Sequence, residues 1–346
     1  MRTIDWVGGE VVILDQTLLP HEERAVHLRS VEQLVTAIST LAVRGAMALG
    51  VAGAMGVALA ALRAREAGTD EGVAMTQAAA RLVSSRPTAV NLSWGVGRAL
   101  AERGGGFDAV LASALQVRDE DIAANLEIGR RGAELLGGAT RLLTHCNAGA
   151  LAGTEWGTAL SAILQLHSRH PLAMVYACET RPLLQGSRLT AWELGRASVP
   201  HRVIVDSASA GLITAGRVDA VVVGADRIAA NGDTANKVGT LAHALAASRA
   251  GIPFVVTAPE STIDANTGTG ADITVEERDE NEVLDWGGRR VAASGSHAYN
   301  PAFDVTPVDL ITAIVTERRT IRLSGARASP HELSPGGLLD LLRSGL

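Results

Sequence analysis

Aromatic residues are scarce, at 3% of 346 residues, and there are only two cysteines, Cys146 and Cys178. Two cysteines make no disulfide framework, which fits a reducing cytoplasm. No CxxC, HExxH or similar ligand spacing occurs, so no zinc site or other metal is expected. No Gly-x-Gly-x-x-Gly follows a strand pattern, which argues against a nucleotide-binding oxidoreductase. The formal net charge is only -6, so neither a nucleic-acid partner nor a membrane surface is expected. No basic-then-apolar segment resembles a signal peptide, and a cytoplasmic protein is expected. There is no internal repeat. The one long uncharged stretch, 46–62, is full of small residues, as a buried core helix is, rather than a membrane span.

What is present divides in two. Residues 4–14 read as a hairpin about Gly8-Gly9. Ser30 with Gln33 makes a capping box ahead of an apolar periodic run. Helical patterns follow over 44–65, 70–83, 89–101 and 108–136, with Arg86-Pro87 and Gly104-Gly-Gly106 as breaks. From Arg141 strand-like runs alternate with helices. Strands are expected at 142–145, 172–178, 203–205, 220–223 and 254–257, and helices at 151–167, 189–195, 209–214 and 238–250. Thr306 and Pro307 read as the start of a further helix. The fold class is therefore α/β. A smaller, mostly helical domain with a short hairpin covers 1–125, and a parallel-sheet domain covers 126–346.

Candidates for chemistry gather at strand ends, where ligands sit in open α/β sheets. Cys146 follows one strand and precedes a turn into a helix. A helix N-terminus lowers a thiol's pKa, so Cys146 is a candidate base or nucleophile. The plain alternative is a buried small hydrophobe. His145 is adjacent, but successive strand residues face opposite ways, which argues against a Cys/His dyad. Asp226 follows the 220–223 strand among Val, Gly and Ala. Poor solvation there would keep it protonated as an acid; the alternatives are a helix cap or a pair with Arg227. Arg44-Gly45-Ala46, Arg86 and Asn236-Lys237 are anion candidates, because each lies at an expected helix start. For each arginine taken alone, a solvated surface charge is the better reading. Gln185, in a loop after the 172–178 strand, is a candidate for sugar hydroxyls or a neutral turn residue.

Several segments together resemble one family. They are Val43-Arg-Gly-Ala46, Arg86-Pro-Thr-Ala-Val-Asn-Leu92, Leu143-Thr-His-Cys-Asn-Ala-Gly-Ala150, Glu179-Thr-Arg-Pro-Leu-Leu-Gln-Gly186, Arg188-Leu-Thr-Ala-Trp192, Val223-Gly-Ala-Asp-Arg-Ile-Ala-Ala-Asn-Gly-Asp233, Asn236-Lys237 and Asn300-Pro-Ala-Phe-Asp-Val-Thr-Pro307. The chain resembles the methylthioribose-1-phosphate isomerases of methionine salvage, relatives of the regulatory subunits of the translation-initiation guanine-nucleotide exchange factor. The resemblance implies a cytoplasmic homodimer with a Rossmann-like C-terminal domain, a sugar-phosphate substrate and no cofactor. It implies Cys146 and Asp226 as the catalytic pair, and Arg44, Gly45, Ala46, Arg86, Gln185, Asn236 and Lys237 as substrate-binding residues.

The implied substrate is an aldose locked as a furanose by its 1-phosphate. Asp226 would protonate the ring oxygen to open it. Hydrogen then moves from C2 to C1, either as a proton taken by the Cys146 thiolate or as a hydride past a shielded cation. Met47, Leu49, Cys178 and Asp206-Ser207-Ala208 depart from the family pattern. They leave the 5-substituent open, so 5-deoxyribose 1-phosphate is an alternative substrate. Ribose 1,5-bisphosphate would need more cationic groups. A non-catalytic regulatory homologue would not need both Cys146 and Asp226.

Overall fold

Apolar burial divides the chain into two compact units: residues up to Leu126 with Ala148–Ser161, and Glu127–Asn147 with the described residues from Ala162 onward. The fold is that of a computed structural model, whose described residues are 2–87 and 89–323. Met1, Thr88 and the tail from Ser324 lie outside them.

The first unit opens on an antiparallel sheet of β1 (Ile4–Val7), β2 (Glu10–Leu14) and β3 (Ala25–Leu28). Gly8 and Gly9, at φ +60° and +85°, make the two-residue turn that a tight hairpin requires. Strand β3 has no matching sequence expectation. Helices α1 (Val31–Ser39), α2 (Ala46–Ala67), α3 (Glu71–Ser85) and α4 (Val90–Ala101) follow. Ser30 Oγ accepts from the Gln33 N–H at 3.3 Å. Gln33 Oε1, however, accepts from the Arg29 N–H, so the box closes one residue earlier than its ideal form. Asp70 Oδ1 caps α3 through the Val73 N–H.

Helix α2 is apolar on all sides. By length and composition it could cross a membrane, yet every residue from 48 to 61 is buried in the unit. It is a core helix. Its glycines let neighbouring helices approach: a Cβ on Gly95 of α4 would lie 1.9 Å from the Gly50 carbonyl oxygen of α2. Helix α5 (Gly106–Leu135) then carries the chain into the second unit.

In chain order the second unit holds β4 (Arg141–Thr144), α6 (Ala159–Arg169, which begins in the first unit), β5 (Met174–Cys178), α7 (Ala191–Arg196), β6 (His201–Ile204), α8 (Ser209–Thr214) and β7 (Ala220–Val223). Then come β8 (Arg227–Ala229), β9 (Thr234–Lys237), α9 (Thr240–Ala250), β10 (Phe254–Thr257) and β11 (Ile263–Asp264). The last described elements are α10 (Asn281–Leu284), the ribbon β12 (Asp285–Trp286) with β13 (Arg289–Arg290), and β14 (Phe303–Thr306), β15 (Ala313–Val315) and β16 (Thr320–Arg322).

Seven strands form one sheet in the order β16-β15-β10-β7-β4-β5-β6, parallel except for β16. β7 and β10 are buried throughout, as parallel strands covered on both faces are. A second sheet, β11-β8-β9-β14, stands beyond the end of β7. The fold is thus mixed α/β, with a helical N-terminal region and a large mixed sheet.

Three expectations are corrected. Residues 151–167 are not one helix: a 3-10 turn at Ala150–Ala152 is followed by α6 only from Ala159. Val238 does not open a helix, because α9 starts at Thr240. Thr306-Pro307 leads only into a 3-10 turn, Val308–Leu310, since the chain must rise at once into β15.

Two stability changes follow. Gly95→Ala should lower stability by about 3 kcal/mol through overpacking, read from urea unfolding. At the foot of β4, Asp219 accepts from the Thr140 and Arg141 N–H groups and from the Arg141 guanidinium. Burial alone would raise its pKa, but these donors hold it down to about 2. A carboxyl depressed on folding stabilises above its unfolded pKa and loses that contribution as pH falls through its folded pKa. The melting-temperature gap between wild type and Asp219→Asn should therefore be full at neutral pH. It should close as pH falls from about 4 to about 2.

Candidate active site

Sequence order in the sheet reverses between β4 and β7. Counting the six parallel strands in chain order, their spatial order is 3-2-1-4-5-6, and β4 and β7 are the adjacent central pair. Cys146 lies just past β4 and Asp226 just past β7.

Cys146 is half-buried and sits at φ +65°, a left-handed backbone that costs a residue with a Cβ about 1–3 kcal/mol. Partly buried hydrogen bonds hold it there. Its N–H donates to Thr180 Oγ1 at 2.9 Å, and its carbonyl accepts from Thr190 Oγ1 at 2.6 Å. Gln185 Nε2 donates to Sγ at 3.4 Å, and Gln185 Oε1 is buried without a partner. Thr180, itself at φ +64°, donates its hydroxyl to the Cys178 carbonyl. Asp206 fixes the same loop by accepting from the N–H groups of Thr180 and Arg181, each at 2.8 Å. A Cβ on Gly186 would lie 1.7 Å from the Cys178 oxygen, so the chain can close over Cys146 only with glycine there.

The helix-start argument for Cys146 is corrected, since no helix begins directly after it. What the thiol has instead is an amide donor from Gln185. His145 turns away: it is buried, and its Nε2 is 2.9 Å from the Val238 carbonyl. Burial pushes its pKa down to about 4.

Asp226 is exposed, so the desolvation expected from its apolar neighbours is not present. The backbone turns there: the Asp226 N–H donates to the Ala235 carbonyl, which opens the β8–β9 hairpin. Arg227 pairs with Asp264 at 3.6 Å. Asn236 and Lys237 are the last two residues of strand β9, not a helix start. The N–H groups of Gly239 and Leu241 at the start of α9 donate to the Asp304 carboxylate. That helix end is therefore already satisfied by an anion of the chain itself. Asn236 Nδ2 donates to Thr240 Oγ1. Lys237 Nζ donates to the Ala302 carbonyl at 2.6 Å and lies 4.9 Å from the Phe303 ring centroid. Among 31 Lys and Arg residues, Lys237 is the only lysine.

The other anion candidates belong to the first unit. Gly45 is the N-cap of α2, at φ +96°, with no side-chain cap bond. A Cβ there would meet Ala152 Cα at 2.4 Å. Arg44 precedes it and Ala46 is the first helical residue. Arg86 caps the C-terminal end of α3 with φ −148° and ψ 79°, outside the helical region that a following proline disfavours. The structure thus joins Cys146 with Gln185, and Asp226 with the strand that ends in Asn236 and Lys237. Thr180 is the residue that sequence reasoning missed. A threonine after a strand is common, and its only signal was its place in the Glu179–Gly186 motif.

A model of the initiation factor 2 subunit family matches residues 42–321. The chain is 48% identical over 331 residues to a probable bifunctional methylthioribose-1-phosphate isomerase/methylthioribulose-1-phosphate dehydratase of Nocardia farcinica. That match covers 93% of this chain but 60% of the relative, so the chain spans less than two thirds of that protein's length. A methylthioribose-1-phosphate isomerase of Anaeromyxobacter dehalogenans is 50% identical, over 90% of this chain and 91% of its own. A 5-deoxyribose 1-phosphate isomerase of Moorella thermoacetica is 47% identical, over 92% and 93%. The crystal structure of 5-methylthioribose 1-phosphate isomerase from Pyrococcus horikoshii OT3 superposes with a TM-score of 0.88 at 38% identity, covering 99% of this chain and 96% of that one.

Thr180→Val keeps the shape of the side chain and removes the acceptor for the Cys146 N–H. It should cost about 2 kcal/mol in urea unfolding and speed alkylation of Cys146. Thr180→Ser should restore both. Equal stability and equal alkylation in the valine variant would exclude the hydroxyl as the clamp.

Proposed function

The chain belongs to the initiation factor 2 subunit family, and from that premise we propose that it is an aldose–ketose isomerase of methionine salvage. It converts 5-methylthioribose 1-phosphate into 5-methylthioribulose 1-phosphate. The observation that carries this reading is the adjacency of β4 and β7, with Cys146 and Asp226 directly beyond their carboxyl ends. The 3-2-1-4-5-6 order supports a Rossmann-like sheet, whose ligands sit where the strand order reverses.

Cys146 and Asp226 are the catalytic pair in this reading. Asp226 gives a proton to the ring oxygen and opens the furanose. Being exposed in the chain alone, it acquires its acid character when the bound sugar desolvates it. Cys146 faces the C1–C2 region. Gln185 donates to its sulfur at 3.4 Å, a contact that orients the side chain. Hydrogen passes from C2 to C1 as a proton carried by Cys146, or as a hydride while the sulfur shields the cation. Arg44, Gly45, Ala46 and Arg86 of the first unit are substrate-binding residues in this reading, as are Gln185, Asn236 and Lys237 of the second. The N-terminus of a 22-residue helix suits the substrate's phosphate.

The protein is a cytoplasmic homodimer in this reading, with its helical and sheet units as two domains. The free state of both cysteines is consistent with a reducing compartment. Val203 and Val205, exposed on and just after the edge strand β6, fit burial against a second copy. A second substrate, 5-deoxyribose 1-phosphate, is favoured by the Moorella relative, at nearly the same identity.

Purified protein should turn over methylthioribose 1-phosphate to the ketose, followed by NMR, with 5-deoxyribose 1-phosphate assayed alongside. Cys146→Ser and Asp226→Asn should each lose about 10²-fold or more in kcat with the fold intact. Near wild-type turnover in either variant would remove that residue from the chemistry. No turnover of either sugar would sink the isomerase reading. In deuterated water, label at C1 marks the proton route and its absence the shielded or hydride route.

A further inference from the structure

Beside the Cys146 turn, three side chains converge that the isomerase reading does not use. They are His145 after β4, Cys178 at the end of β5 and His243 in α9. All are buried, and one ligand atom from each lies within 4.8 Å of the others.

Hydrogen bonds decide which nitrogens are available. The Val238 carbonyl can only accept, so His145 Nε2 carries the proton and Nδ1 keeps its lone pair. That Nδ1 is buried with no hydrogen-bond partner. Ser209 Oγ donates to the Asp206 carbonyl at 2.8 Å, so its 2.8 Å contact with His243 Nδ1 is one that it accepts. His243 Nε2 therefore turns a lone pair toward Cys178 Sγ, 3.6 Å away. Each imidazole thus donates its N–H to an oxygen; His243 turns its lone pair toward the thiol, and the lone pair of His145 is left unpartnered in the interior. Metal-ligating histidines are oriented in this way. Asp206 Oδ1 lies 3.9 Å from His145 Nδ1, and a carboxylate oxygen that accepts one N–H still has a second lone pair.

Tetrahedral zinc ligands stand about 3.3–3.8 Å from one another, given metal–ligand lengths of roughly 2.0–2.3 Å. The 3.6 and 3.9 Å separations are near that range, and among His145, Cys178 and His243 the widest gap must close by about 1 Å. We propose that His145, Cys178 and His243, with Asp206 as fourth ligand, bind a zinc-class divalent cation in a structural site. On binding, Cys178 releases its thiol proton to solvent and each ligand gives a lone pair, so no oxidation state changes. A thiolate and a carboxylate balance the +2 charge, as a buried ion requires. The ligands come from the ends of β4, β5 and β6 and from α9, so the ion ties together the strand ends that carry Cys146 and Thr180. Their wide sequence spacing explains why no zinc motif is visible. The site is independent of the isomerase reading and takes no part in its chemistry.

The test is to express the full chain in cobalt-supplemented minimal medium and, separately, with zinc. The expected result is about one metal per chain by mass spectrometry and a thiolate-to-cobalt charge-transfer band. The band should persist in Cys146→Ser and vanish in Cys178→Ala, and His243→Leu should cut metal content at least tenfold. Wild-type protein with less than about a tenth of an equivalent and no band would overturn the proposal, whether or not the variants fold. A band that follows Cys146 instead of Cys178 would also overturn it.

Discussion

The pairing of β4 with β7 is the constraint on which the second unit depends. Leu142 lies opposite Ala220 and Leu143 opposite Val221. The two strands are separated in sequence by two strands and three helices, so each must add at the centre of a sheet that grows outward in both directions. Both are buried, as central parallel strands covered on both faces are. This register fixes where β4 and β7 end, and with it where Cys146 and Asp226 emerge.

Around that reversal, polar contacts do what the sheet cannot. Cys146 and Thr180 both adopt left-handed backbones that a side chain disfavours. They persist because Thr180 links the Cys146 N–H to the Cys178 carbonyl, while Asp206 holds Thr180 from the far side. Gly186 lets the next segment close over them. The second sheet works similarly: Asp304, paired with Asn236 in register, places its carboxylate on the start of α9. That leaves Lys237 on a strand end against Ala302 and Phe303.

Much of this is legible in the residues, where local physics is strong. The β-branched runs of β7 and β10 announce buried strands, with the bounds found. Asp70 marks a helix start by its capping oxygen, and Gly8-Gly9 marks a hairpin. The β8–β9 hairpin was less legible because Arg-Ile-Ala and Thr-Ala-Asn-Lys are short and polar. The Asn231-Gly232 pair was nonetheless a usable turn signal, and Gly232 has the positive φ such turns need. The helix placed directly after Cys146 failed because apolar spacing there reflects burial of a 3-10 turn rather than a continuous helix.

By itself the sequence determined the α/β class, the change of rhythm near the end of α5, and the identities of Cys146, Asp226, Gln185, Arg44 and Arg86 as candidates. These depend on periodicity, turn chemistry and residue type, all of which act over a few residues. Only the tertiary structure decided that β4 and β7 are neighbours, that Asp226 is exposed, that Lys237 ends a strand, and that His145, Cys178 and His243 meet. Those facts come from strand pairing and packing between segments tens of residues apart, where the energy of burial, not local propensity, selects the partner.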